Sequence, residues 1–200
     1  MNYQKELEKK LSTIKEQNIK PKLLLHACCA PCSSYCLEYL TEYFDITVLF
    51  YNPNISSETE YTKRVNELKR FVKECDKCEG VTVVDMEYDS SEFYEAVQGL
   101  ENEKEGGVRC FVCYELRQRK ACQYAKDNGF DYFTTTLSIS PHKNAAKLNE
   151  IGAKLEAEYG ISYLYSDFKK NNGFKRSIEL SNEYNLYRQD FCGCEFSKRQ

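Results

Sequence analysis

No stretch of this 200-residue chain approaches the roughly 18–20 consecutive apolar residues that a helix needs to cross a bilayer. A transmembrane helix is therefore not expected. The N-terminus, Met1-Asn2-Tyr3-Gln4-Lys5-Glu6, is charged and has no apolar stretch behind it, so no secretory leader is expected either. Basic excess is missing too: 28 Lys and Arg stand against 31 Asp and Glu, a net charge of −3. That disfavours a general nucleic-acid binder but leaves room for a local basic surface. Tryptophan is absent, and the aromatic content is 16 Tyr and 11 Phe, read mostly as core filler. Repeats and low-complexity tracts are lacking. What remains is a cytoplasmic chain with no membrane partner. Its length suits one domain, able to bury about 70% of its unfolded surface.

Cysteine is what the chain has in excess, with eleven. A chain this long does not need cross-links, and an odd count cannot be fully paired. In a reducing compartment, grouped cysteines more often bind metal or do redox chemistry. Seven form three groups: Cys28, Cys29 and Cys32; Cys110 and Cys113; Cys192 and Cys194. A free cysteine is commonly a buried, inert thiol, but three groups this dense, each at a loop or element end, point to metal. One tetrahedral zinc would use four ligands and idle three. Seven thiolates suit a cuboidal iron–sulfur cluster on four and a second metal on three, with a coordination position open to a substrate oxygen. The expected division places Cys28, Cys29, Cys110 and Cys113 on a [4Fe–4S] cluster. Cys32, Cys192 and Cys194 are then left for a mononuclear metal, iron; exchanges among the seven stay open. Cys36 reads as core or a spare thiol, Cys122 as buried helix face, and Cys75 and Cys78 as a pair with metal-like spacing away from the site.

Elements alternate along the chain. A charged amphipathic helix over 1–20 carries Leu7, Leu11 and Ile14 on one stripe and reads as an N-terminal extension to a single α/β catalytic domain over 21–200, which ends in a cysteine-rich segment. Strands are expected at 22–27, 45–51, 81–86, 131–137 and 161–166. Helices are expected at 31–44, from Ser56 or Ser57 to about 78, from Ser90 or Ser91 to 100, and at 111–128, 144–159 and 174–184. The continuous apolar run through Ile46-Thr47-Val48-Leu49-Phe50 is that of a strand buried on both faces. Such alternation calls for a parallel sheet with helices on both faces. In that fold the loops after the strand carboxyl ends line one edge, where ligands usually bind. Cys28–Cys32 would open there.

Five segments occur in order: Leu24-Leu25-His26-Ala27-Cys28-Cys29-Ala30-Pro31-Cys32, Phe50-Tyr51-Asn52-Pro53-Asn54-Ile55, Arg109-Cys110-x-x-Cys113, Thr134 to Asn144, and Tyr187-Arg188-Gln189-Asp190-Phe191-Cys192-Gly193-Cys194. Together they resemble the QueH family of epoxyqueuosine reductases, the cobalamin-independent type, from about Lys22 to Phe196. The resemblance implies a Rossmann-like fold related to the PP-loop, adenine nucleotide hydrolase-like (HUP) family. It also implies reduction of epoxyqueuosine to queuosine at the wobble position of tRNA, with an iron–sulfur cluster beside a second metal. An external electron donor follows, and a disulfide among the thiols is a further expectation. This chain has neither a Ser-Gly-Gly-x-Asp-Ser loop nor a Walker A, so ATP pyrophosphatase chemistry is not expected.

Deoxygenating an epoxide takes two electrons, protons, and a group that accepts the oxygen. Asp190 and Tyr187, flanking the terminal thiol pair, are candidate proton donors, with a solvated loop charge the plainer reading of Asp190. Arg64, Arg109, Arg188, His142 and Lys143, with Ser138 in the same loop as the last two, are candidate substrate contacts, since basic side chains position a nucleic-acid backbone. Tyr51 and Asn52 suit stacking on and hydrogen bonding to an extruded base; Tyr51 suits the core equally. His26 reads as a packed, hydrogen-bonded residue. Two rival readings remain: a thiol oxidoreductase or sulfur carrier without iron, and a zinc-stabilised RNA-binding module.

Overall fold

A computed structural model describes residues 2–197; the last three residues of the expected catalytic domain, and Met1 of the expected extension, lie outside them. Helix α1 (Tyr3–Glu16) is capped by Asn2, whose side chain accepts the Lys5 N–H. Its Leu7, Leu11 and Ile14, spaced for one face, are buried. Strand β1 (Lys22–Ala27) leads into α2 (Ala30–Leu40), and β2 (Asp45–Phe50) into α3 (Glu58–Glu74), which Ser57 caps. β3 (Thr82–Asp85), α4 (Ser91–Ala96), α5 (Val108–Asp127), β4 (Tyr132–Thr135), α6 (Ala145–Tyr159), β5 (Ser162–Tyr163) and α7 (Gly173–Glu183) follow.

The five strands form one sheet in the order β3-β2-β1-β4-β5, every neighbouring pair parallel. Alternation of side chains then divides β1 between two cores. Leu23, Leu25 and Ala27 pack with α1, α2 and α3, whereas Leu24 packs with the faces of α5 and α6. This is the expected α/β architecture with helices on both faces. The chain adds β2 and β3 to one side of β1 and then returns to place β4 on the other. That reversal opens a crevice at the carboxyl ends of β1 and β4, the usual ligand position in such sheets.

Several element ends differ from expectation, each for a local reason. α2 stops at Leu40, where the Thr41 hydroxyl donates to the Leu37 carbonyl at 2.9 Å. α3 stops at Glu74 because Cys75 is extended (ψ 111°), and Asp76–Cys78 is a separate 3₁₀ turn. α4 ends at Ala96, four residues short of the expected Leu100. β4 ends at Thr135, whose hydroxyl accepts the Leu137 N–H at 3.2 Å and starts a 3₁₀ turn over Thr136–Ile139. β5 is reduced to two residues. α5 begins three residues before the expected Phe111, so Cys110 sits inside its first turn.

Candidate metal centre

β1 ends on Ala27, and the chain turns through Cys28 and Cys29 into α2. Cys29 is the N-cap of that helix, its sulfur accepting the Cys32 N–H at 3.3 Å. The turn gathers three thiols: the sulfurs of Cys28, Cys29 and Cys32 lie within 4.8 Å of one another. Cys28 Sγ is 3.7 Å from Cys29 Sγ and 3.8 Å from the Thr136 hydroxyl, across the crevice on the segment after β4. Ligands about 2.3 Å from a tetrahedral ion sit roughly 3.8 Å apart, so this donor set fits a thiophilic metal.

The other two groups come from far along the chain. Cys110 accepts the Gly106 N–H at 3.2 Å, and Cys113 follows one turn later, buried. Cys113 and Cys194 pack in one apolar cluster with Phe93 and Val97, with Cys192 against it. The C-terminal segment is clamped from below. Arg64 donates to the carbonyls of Cys192 (3.1 Å) and Phe191 (3.4 Å), Asn54 donates to Cys192 (3.3 Å), and the Ser56 N–H donates to Gly193 (3.0 Å). Gly193 has φ +104°, and a Cβ there would lie 2.8 Å from Ile55 Cγ1, so only glycine fits this approach.

An open cleft of about 260 Å³ lies above these thiols, walled by Cys28, Cys32 and Cys192. Arg64, Arg117, His142, Lys143 and Arg188 line it, together with Gln189 and Asp190. Arg188 and Asp190 are exposed, Arg188 donating to the Ser181 hydroxyl at 3.0 Å. Other candidates have different duties. Arg64 also pairs with Glu60 at 2.7 Å. Arg109, buried, donates to the carbonyls of Leu100, Glu101, Glu103 and Phe196 and so shapes the loop before α5; it is not presented to a phosphate. Tyr51 is 4% exposed with its hydroxyl on Glu92, and Asn52 is 1% exposed, so neither is presented for stacking on a base. Ser138 is buried and accepts the Phe168 N–H at 3.2 Å. Tyr187 stands apart from the cleft lining, donating to Glu60 at 3.2 Å. His26 is packed as expected, between the Thr135 hydroxyl (2.9 Å) and the Tyr51 carbonyl (3.0 Å). Burial, then the Arg117 charge, pushes its pKa down to about 3, so it is neutral.

The thiols are electrostatically unequal. Hydrogen bonds from Cys29 and Cys32 push Cys28 well below the usual thiol range, against the opposing effect of burial, and leave Cys32 well above it. In the terminal pair, the Cys194 thiol chiefly, with help from Lys143, lowers Cys192, while Cys194 is raised. The turn after β1 and the terminal pair thus each offer one thiolate-ready sulfur, whereas burial raises Cys113 on α5. Burial works against the Lys143 charge, but the neighbouring Cys192, Tyr114, Cys113 and Cys110 more than offset it and raise its pKa.

The expected disulfide is not formed. All eleven cysteines are free, and even the Cys28–Cys29 contact at 3.7 Å is far from the roughly 2.05 Å of an S–S bond. Two cleft residues were not singled out from sequence. Arg117 follows Cys113 by four residues and Cys110 by seven, a spacing that puts all three on one helical face. Gln189 gives no such signal; its Oε1 is buried with no partner among the described residues.

The family model described as "Epoxyqueuosine reductase QueH" matches residues 23–200. The chain belongs to the QueH family. A relative from Streptococcus pyogenes serotype M1, named epoxyqueuosine reductase QueH, is 44% identical over 201 residues, covering 100% of this chain and 79% of its own. A like-named QueH relative from Thermotoga maritima is 34% identical, covering 88% and 89%. Among solved structures, the U34-tRNA thiolase NcsA from Methanococcus maripaludis with its [4Fe-4S] cluster superposes with a TM-score of 0.56 at 14% identity, over 98% of this chain and 68% of that one. At that identity the likeness is one of fold. Membership of the QueH family sets aside the thiol-carrier and zinc-module readings. Among the described residues no helix is long and apolar enough to cross a membrane.

Proposed function

We propose that this chain, as a QueH family member, reduces epoxyqueuosine to queuosine at the wobble position of tRNA in the cytoplasm. Overall, one epoxide, two electrons and two protons give one alkene and one water. The observation that carries the reading is the Cys28, Cys29 and Cys32 triad at the carboxyl edge of the sheet, under a cleft that Cys192 and cationic side chains also line, with Cys113 packed beside Cys194. In this reading Cys28, Cys29, Cys110 and Cys113 hold a [4Fe–4S] cluster. Cys32, Cys192 and Cys194 hold a second, mononuclear metal, iron, with Cys32 close enough to Cys28 and Cys29 to serve either centre. The cluster supplies single electrons from an external donor, and the open-site metal supplies Lewis acidity toward the epoxide oxygen.

The remaining work falls to the protein. Arg188, His142 and Lys143, at the cleft rim, hold the phosphates on either side of the modified nucleotide. Asp190, exposed at the cleft and two residues from Cys192, passes a proton toward the departing oxygen. Tyr187 acts at one remove: its hydroxyl bonds Glu60, Glu60 holds Arg64, and Arg64 holds the Cys192 carbonyl. The test is turnover of epoxyqueuosine-containing tRNA by anaerobically reconstituted protein with a chemical reductant, read by nucleoside analysis. Wild type forms queuosine, whereas Cys28→Ala, Cys113→Ala and Cys194→Ala each lose at least about a hundredfold in rate, some 2.7 kcal/mol of barrier. Full activity in any of the three removes that residue's assigned role.

A further inference from the structure

Three arginines are buried in or beside the site, and two have evident partners. Arg64 has the Glu60 carboxylate, and Arg109 has four backbone carbonyls. Arg117 is different. Its Nη2 donates to the neutral Asn52 amide oxygen, its Nε, like that of Arg109, has no partner among the described residues, and it is 3% exposed. Among the described residues it forms no ion pair with a carboxylate, and the groups that sustain its charge against burial are Cys113, Cys28 and Cys192. An arginine does not lose its proton in a protein, and a buried charge without a counter-charge is strongly destabilising. Arg117 lacks the ring of carbonyls that Arg109 has, and the source of negative charge beside it is the thiol site. Lys143, in the same cleft, repeats the pattern: burial opposes its charge, and Cys192, Tyr114, Cys113 and Cys110 are the groups that sustain it. Its ammonium lies 5.9 Å from the Tyr114 ring centre.

Resting on the reading of this site as an iron–sulfur centre, we infer that Arg117, held by Asn52, and Lys143 are the fixed counter-charge of that centre and set its reduction potential. Reduction adds an electron to an already anionic group. A cation held nearby in a low-dielectric interior favours the reduced form and raises the potential. Asn52 makes the placement firm, because its Nδ2 donates at 2.9 Å to the carbonyl of Ala27, the residue just before Cys28. One amide thus ties the guanidinium to the cysteine turn. Arg117 acts only through the metal centre and is a positioning residue, not a catalytic one; Lys143 lends that centre the same charge that faces the phosphates.

The test compares wild type, Arg117→Gln, Arg117→Lys and Lys143→Gln after anaerobic reconstitution with iron and sulfide. Iron and sulfide are counted for each, and the midpoint potential is read by redox titration followed by electron paramagnetic resonance. Arg117→Gln is expected to take up an electron at least tenfold less favourably, a negative shift of about 59 mV for one electron. Lys143→Gln shifts in the same direction by less, and Arg117→Lys recovers most of the wild-type potential. Unchanged potentials in both Gln variants at wild-type cluster content overturn the inference while leaving the site reading intact. If Arg117→Gln does not fold, Lys143→Gln decides, and an unshifted potential there overturns the inference. A wild-type protein that takes up no cluster overturns the site reading itself.

Discussion

At the scale of single residues, the side chains nearest the chemistry are mostly brackets. Asn52 joins Ala27 and Arg117, so Asn52→Ala leaves a carbonyl and a guanidinium buried without it. That costs about 2–4 kcal/mol, to be read as a lower urea midpoint at unchanged slope. The cysteine groups were legible because spacing alone betrays them. The partners of Arg64 and Arg109 were not, because they are backbone carbonyls. The Cys192 carbonyl that Arg64 holds lies 128 residues away, and no local pattern encodes that. As sequence, Arg64 and Arg109 look like free cations for a nucleic-acid backbone; folded, they hold the terminal thiol segment and the loop before α5. Tyr51 ends a fully apolar strand run, and its burial under Glu92 and Lys120 is the outcome that run implied equally well.

At the scale of elements, the site depends on how closely two segments approach. Gly193→Ala would place its Cβ 2.8 Å from Ile55 Cγ1 at a φ of +104°, lifting the Cys192–Cys194 segment off Arg64. The expected outcome is near-native circular dichroism with iron per chain and turnover both below wild type; wild-type iron content would show that the segment adapts. Gly152 in α6 faces β5, where an added Cβ would collide with the Tyr163 ring. Gly152→Ala should destabilise by about 1–3 kcal/mol through overpacking, measured by thermal unfolding, without altering cluster uptake. Element identity was readable from apolar runs and caps: Ser57 caps α3 as anticipated, and Gly129 and Gly160 take left-handed conformations just past the ends of α5 and α6. Ends were less readable. β4 gives way to a 3₁₀ turn through a Thr135 side-chain cap, and apolar Leu137 and Ile139 continue the run past the strand, so composition hides the break.

At the scale of the whole molecule, the order β3-β2-β1-β4-β5 brings the turn after β1 and the turn after β4 to one crevice. α1 covers the core on the β1 side through Leu7, Leu11 and Ile14, each 3% exposed or less. Removing residues 1–20 forfeits that cover, and burial of each such side chain contributes roughly 1.5–3 kcal/mol. The truncated chain should therefore unfold at markedly lower temperature; an unchanged Tm would make residues 1–20 a dispensable extension. The most direct measurement of the account as a whole is the iron and acid-labile sulfide bound per chain after anaerobic reconstitution. The account predicts about five irons and four sulfides, the sulfide lost in Cys28→Ala and Cys113→Ala alike. Stoichiometric zinc without sulfide, or sulfide retained in both variants, would contradict it.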